Sequence, residues 1–75
     1  MTKVSYDKLK HMMIDRRLEW KDLKTIFSFS PHTIIKLKND QVVQMDVLLK
    51  ICDYFKCDIS DIMQVIYYDE DNLNL

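Results

Sequence analysis

Glycine is absent from the 75 residues and proline occurs once. Small sheet-rich domains depend on Asn-Gly or Gly-Gly turns to reverse their strands, whereas helices need glycine mainly at their C-caps, where Asn or Asp can stand in. The composition therefore predicts an all-α fold. The missing glycines also exclude phosphate-cradling loops, because neither a P-loop nor a dinucleotide fingerprint can be built without them. Cysteine is scarce: Cys52 and Cys57 lie five residues apart, with His11 and His32 as the only histidines. That set lacks the paired C-x-x-C spacing of a zinc site, so no metal and no cofactor are expected, and the thiols read as free, half-buried helical residues of a reducing compartment. Long apolar runs are missing too. Stretches such as Met12-Met13-Ile14 fall far below the ~18 residues of a membrane span, and no basic-then-apolar leader opens the chain. A cytoplasmic protein without a membrane partner is expected.

What the chain does have is the balance of a folded domain, 48% hydrophobic and 31% charged residues. Its length suits one domain over residues 1–66, followed by an acidic tail over 67–75. A core this small supplies about 3 to 5 kcal/mol, so a second subunit is a fair expectation.

Five helices account for the apolar spacing. Ser5 is the N-cap candidate for the first, which runs to Leu18 with Tyr6, Leu9, Met13 and Leu18 inward. Trp20 to Phe27 forms the second, entered at Glu19, with Leu23, Ile26 and Phe27 inward. Ser30-Pro31 is the clearest start signal, since Ser is a preferred N-cap and Pro is over-represented at the first helical position. The third helix carries Ile34 and Leu37 inward and ends at Asn39-Asp40, where Asn supplies the left-handed residue. Met45 to Phe55 forms the fourth, with Leu48, Ile51, Cys52 and Phe55 in a 3-4-3 pattern. Asp58 and Asp61 form a capping box for a fifth, whose apolar side is Ile59, Ile62, Met63 and Ile66.

Charge is unevenly distributed. Residues 1–38 hold nine Lys or Arg against four Asp or Glu, net +5, and residues 39–75 hold two against eight, net −6. A formal charge of −1 hides a dipolar molecule. The basic half contains the second and third helices, separated only by Ser28 to Ser30, and basic surface is what phosphate contact requires. Solvated helix faces with no partner would carry the same charges.

The stretch from Leu23 to Leu37 adds more than charge: an inward Leu, a short turn with an apolar plug at Phe29, a capping Ser, and a helix with inward Ile34 and Leu37. It resembles the helix-turn-helix of the lambda-repressor and Cro type, the xenobiotic-response-element family. In that family Ser-x-x-Thr-Ile-x-x-Leu opens the recognition helix, and Ser30, Thr33, Ile34 and Leu37 match it. The run from Val47 to Met63 resembles the family's later helices. The likeness covers residues 4–66 and is closest to short stand-alone regulators of the VanU type. Three positions depart from the pattern. Lys24 stands where a small residue is usual, Ser28 where the turn usually has Gly, and Trp20 where many members place a phosphate-bracing Gln. A wider or strained turn is expected.

The resemblance implies a compact five-helix bundle of lambda-repressor-like type that binds double-stranded DNA and regulates transcription. A helix about 10 to 12 Å across fits the major groove, and its N-terminal residues reach base edges. Carried over slot by slot, Pro31, His32, Thr33 and Lys36 would face bases; Trp20, Lys21, Ser30, Lys38, Asn39 and Gln41 would contact phosphates, with Lys3, Lys10 and Arg16 as lesser candidates. His32 could bond a purine N7, Pro31 and the Thr33 methyl could touch thymine methyls, and Lys36 could reach guanine. For His32 and the lysines the plain alternative is a solvent-exposed helix face, and for Trp20 a packing residue. Cro-type practice implies a homodimer reading a palindrome, with Met63, Val65, Ile66, Tyr67 and Tyr68 as its interface and a repressor as its action.

No catalytic set is visible and no small-molecule substrate is expected, so the chain does not read as an enzyme. Neither cysteine has a neighbouring histidine, and capping explains Ser30. The rival reading is an interaction module on the same fold, an antitoxin, antirepressor or co-regulator, motivated by the negative net charge and the lack of strong base readers.

Overall fold

The computed structural model describes residues 1–68. Beyond Tyr68, the acidic tail expected over 67–75 lies outside the described residues. In chain order the elements are β1 (Thr2–Ser5), α1 (Asp7–Asp15), α2 (Trp20–Phe27), α3 (Pro31–Lys38), α4 (Met45–Phe55), a single 3-10 turn (Ile59–Asp61) and β2 (Gln64–Tyr67). The expected bounds of α2 and α4 and the start of α3 agree with these. The all-α, five-helix expectation does not: the described residues form four α-helices and a two-stranded antiparallel ribbon.

The fifth helix starts and then stops. Its capping box forms, with Ile59 N–H donating to Asp58 Oδ1 at 2.7 Å and Asp58 N–H to Asp61 Oδ2 at 2.9 Å. Only one 3-10 turn follows. Val65, Ile66 and Tyr67 are β-branched or aromatic and lose side-chain freedom in a helix, and Thr2-Lys-Val-Ser offers them a strand partner. Thr2 pairs with Tyr67, Lys3 with Ile66, Val4 with Val65 and Ser5 with Gln64. Met1 and Tyr68 extend the ladder, the Met1 ammonium donating to the Tyr68 carbonyl at 2.8 Å and the Tyr68 N–H to the Met1 carbonyl at 2.9 Å. Tyr6 takes the N-cap position, and Ser5, a buried strand end, still bonds a first-turn N–H as expected. Its Oγ accepts from Asp7 N–H at 3.3 Å, and α1 begins at Asp7.

Helix ends in this chain are closed without glycine. Among the described residues Arg17, Ser28, Asp40 and Lys56 hold φ between 55° and 57°, in the left-handed region. Three of these ends share one hydrogen-bond pattern: Leu18 N–H to Met13 O at 2.8 Å, Gln41 N–H to Lys36 O at 2.9 Å and Cys57 N–H to Cys52 O at 3.1 Å. Each satisfies a carbonyl that the last turn leaves unpaired. This closure ends α1 at Asp15 instead of Leu18. After α3 the left-handed residue is Asp40, one position later than expected, with Asn39 at φ −101°.

The core joins every helix. Tyr6, Leu9, Leu23, Leu37, Ile51 and Ile62 are fully buried, with Met13, Phe29, Ile34, Leu48, Cys52 and Phe55 around them. Ile26, expected inward, is 38% exposed, because α2 buries only Leu23 and leaves Phe27 half-buried. Cys52 is buried in α4 and Cys57 is partly buried just past its end, both as free thiols.

Candidate nucleic-acid interface

The geometry of α3 is set from both ends. At the N-terminus Ser30 Oγ accepts the Thr33 N–H at 3.2 Å and lies 3.1 Å from Thr33 Oγ1, while Pro31 occupies a position whose N–H would have no helical partner. Before it, Ser28 takes the left-handed conformation that the family's glycine usually supplies. Phe29 plugs the turn, buried and stacked on Phe27 at 4.9 Å between ring centroids. The α2 entry is fixed by Glu19 N–H donating to Asp22 Oδ2 at 2.8 Å. Lys24 is exposed at the open edge of the groove between α2 and α3, where its bulk is not buried.

At the C-terminus of α3 Asp40 ties the helix to the start of α1. Its Oδ1 accepts from Tyr6 N–H at 2.9 Å and from Lys10 Nζ at 3.2 Å, and the buried Tyr6 hydroxyl donates to Gln41 O at 2.7 Å. The Tyr6 N–H, and after it Lys10, holds the Asp40 carboxyl below the usual carboxylate range, whereas burial raises the Tyr6 hydroxyl. Lys10 also lies 3.7 Å from Asp7, which commits this lesser phosphate candidate to the fold.

With Ile34 and Leu37 buried, a rotation of 100° per residue turns His32, Ile35 and Lys36 outward. Pro31, His32, Ile35 and Lys38 are exposed, and Thr33 and Lys36 are half-exposed. Two shallow hollows flank this face. One, of about 290 Å³, is lined by Trp20, Lys21, Lys24, Pro31, Ile34, Ile35 and Lys38. The other, of about 210 Å³, is lined by His32, Thr33, Lys36, Val43, Gln44 and Val47. Lys21, Lys24 and Lys38 thus share the first hollow, and Lys36 lies in the second beside His32. Lys21 pairs with Glu19 at 3.1 Å, which raises its pKa, while Lys24, Lys36 and Lys38 make no ion pair among the described residues.

The expected residues do not all meet. Pro31 and the phosphate candidates Trp20, Lys21 and Lys38 share the first hollow, and His32, Thr33 and Lys36 share the second. Ser30 is engaged in capping. Asn39 and Gln41 are exposed in the turn after α3 and line neither hollow. Met63, Val65, Ile66, Tyr67 and Tyr68 lie on or beside β2, a strand and not a helix. Val65 and Tyr67 stand out from it at 43% and 80% exposure.

Two residues of this surface escape motif matching. Ile35 lines the first hollow, and the signal was available, since a helix burying Ile34 and Leu37 must turn position 35 outward. Gln44 lines the second from the loop before α4, which no spacing rule anticipates.

No curated protein sequence matches the chain. A crystal structure of the transcriptional regulator VanUg is similar at 36% identity over 89% of each chain, with a TM-score of 0.84. A family model described as the Cro/C1-type helix-turn-helix DNA-binding domain matches residues 8–67. The chain belongs to that Cro/C1-type helix-turn-helix DNA-binding family.

Proposed function

We propose that the chain is a cytoplasmic transcriptional repressor that binds double-stranded DNA as a homodimer, with α3 in the major groove. The carrying observation is the outward face of α3, His32, Ile35 and Lys36, set beside Lys21, Lys24 and Lys38 from both helices of the motif. In this reading Pro31, His32, Thr33 and Lys36 meet base edges. Trp20, Lys21, Ser30, Lys38, Asn39 and Gln41 meet the backbone, fixing register without carrying sequence information. The likeness to VanUg, itself a transcriptional regulator, supports the regulatory role. Exposed Val65 and Tyr67 on the ribbon support an interface there, which would set two recognition helices about 34 Å apart on a palindrome.

Selection of duplexes from a random library tests the reading. Enrichment of a palindrome, with log affinity falling against log salt at a slope of about −4 or steeper, is the expected result. Sedimentation of the free protein as a monomer at micromolar concentration would remove the dimer. Failure to enrich any duplex at low salt would overturn DNA binding and favour a protein partner.

A further inference from the structure

One large apolar side chain of α3 is not taken by the core. Ile35 is 50% exposed, three residues from His32 and four from Pro31, so the three share one helix surface. In the adjoining hollow Trp20, Pro31 and Ile35 provide apolar surface beside Lys21, Lys24 and Lys38, of which Lys24 and Lys38 make no ion pair among the described residues. Such a mixture suits a ligand that presents apolar and anionic groups side by side. The DNA major groove does so: thymine contributes the 5-methyl group among otherwise polar base edges, and phosphates border the groove. Apolar contact also fits a helix that carries no Arg, Asn or Gln for two-pronged hydrogen bonding to a purine. Resting on the DNA-binding reading above, we infer that Ile35 is a specificity-determining residue that recognises thymine by its 5-methyl group, with Pro31 extending the contact.

Replacing each thymine of a selected duplex by deoxyuridine deletes that methyl and keeps every hydrogen-bonding group. Wild-type protein is expected to lose about fourfold in affinity at one or two positions, the worth of one buried methyl. Ile35→Ala and Ile35→Gln, which keep the Pro31 contact, should lose less than about twofold at those same positions, while keeping the wild-type salt slope and thermal melt. Indifference of the wild type to every uracil, or equal sensitivity of wild type and both variants, would overturn the inference while leaving DNA binding intact. Failure to select any duplex would instead overturn the DNA-binding reading, and the role of Ile35 with it.

Discussion

Arg17, Ser28, Asp40 and Lys56 hold a left-handed backbone that costs a residue with a Cβ about 1 to 2 kcal/mol. Whether glycine would improve each position depends on what its side chain does. Lys56 makes one exposed pair with Asp53 at 3.2 Å, an interaction of little worth. Lys56→Gly is therefore expected to stabilise the domain by about 0.5 to 1 kcal/mol, raising Tm by about 2 to 8 °C in a thermal melt. Asp40 is the opposite case, because its carboxylate holds Tyr6 N–H and Lys10. Asp40→Ala should cost about 1 to 2 kcal/mol in urea unfolding at neutral pH. Since the folded carboxyl titrates below its ordinary value, its contribution is full above pH ~4 and disappears as pH falls through the lowered pKa. Unfolding free energies measured from pH 6 down to 2 should show a shallower acid decline in the Asp40→Ala variant.

Among the elements, α3 depends most visibly on its cap. Removing the Ser30 hydroxyl leaves Thr33 N–H without its acceptor, and Ser30→Ala is expected to cost about 1 kcal/mol in denaturant unfolding. The cap, Pro31 and the buried pair Ile34 and Leu37 were all legible in the sequence because they obey local rules of spacing and capping. So were α2, α4 and the box at Asp58. The ribbon was not legible, because a strand of four residues needs a partner and β1 and β2 lie at opposite ends of the described chain. Local spacing assigned Ile59 to Ile66 to a helix, and long-range pairing overrode it, while Ser5 keeps its bond to the first turn of α1 and joins the ribbon as well. The candidate surface was partly legible for the same reason: motif slots pointed to His32 and Lys36, which line one hollow, while the inclusion of Gln44 there depended on how the loop before α4 packs.

At the scale of the whole molecule the charge division sets a test of orientation. Lys24, Lys36 and Lys38 lie along the two hollows, whereas Lys50 lies in a separate one with Ile26, Phe27, Asp53 and Tyr54. Replacing Lys38, read as a backbone contact, by Ala should reduce the log-log salt slope of DNA binding by about 0.9 for each phosphate it neutralises in a protomer, with Lys50→Ala as an unchanged control. The pairing of Met1 with Tyr68, 67 residues apart, has a consequence in the time course of synthesis. A ribosome makes β1 before all four helices and its partner after them. Whatever order the helices adopt while the chain is emerging, β1 has no ladder to join until translation has passed Tyr67, so a strand made before every helix is among the last elements to find its place.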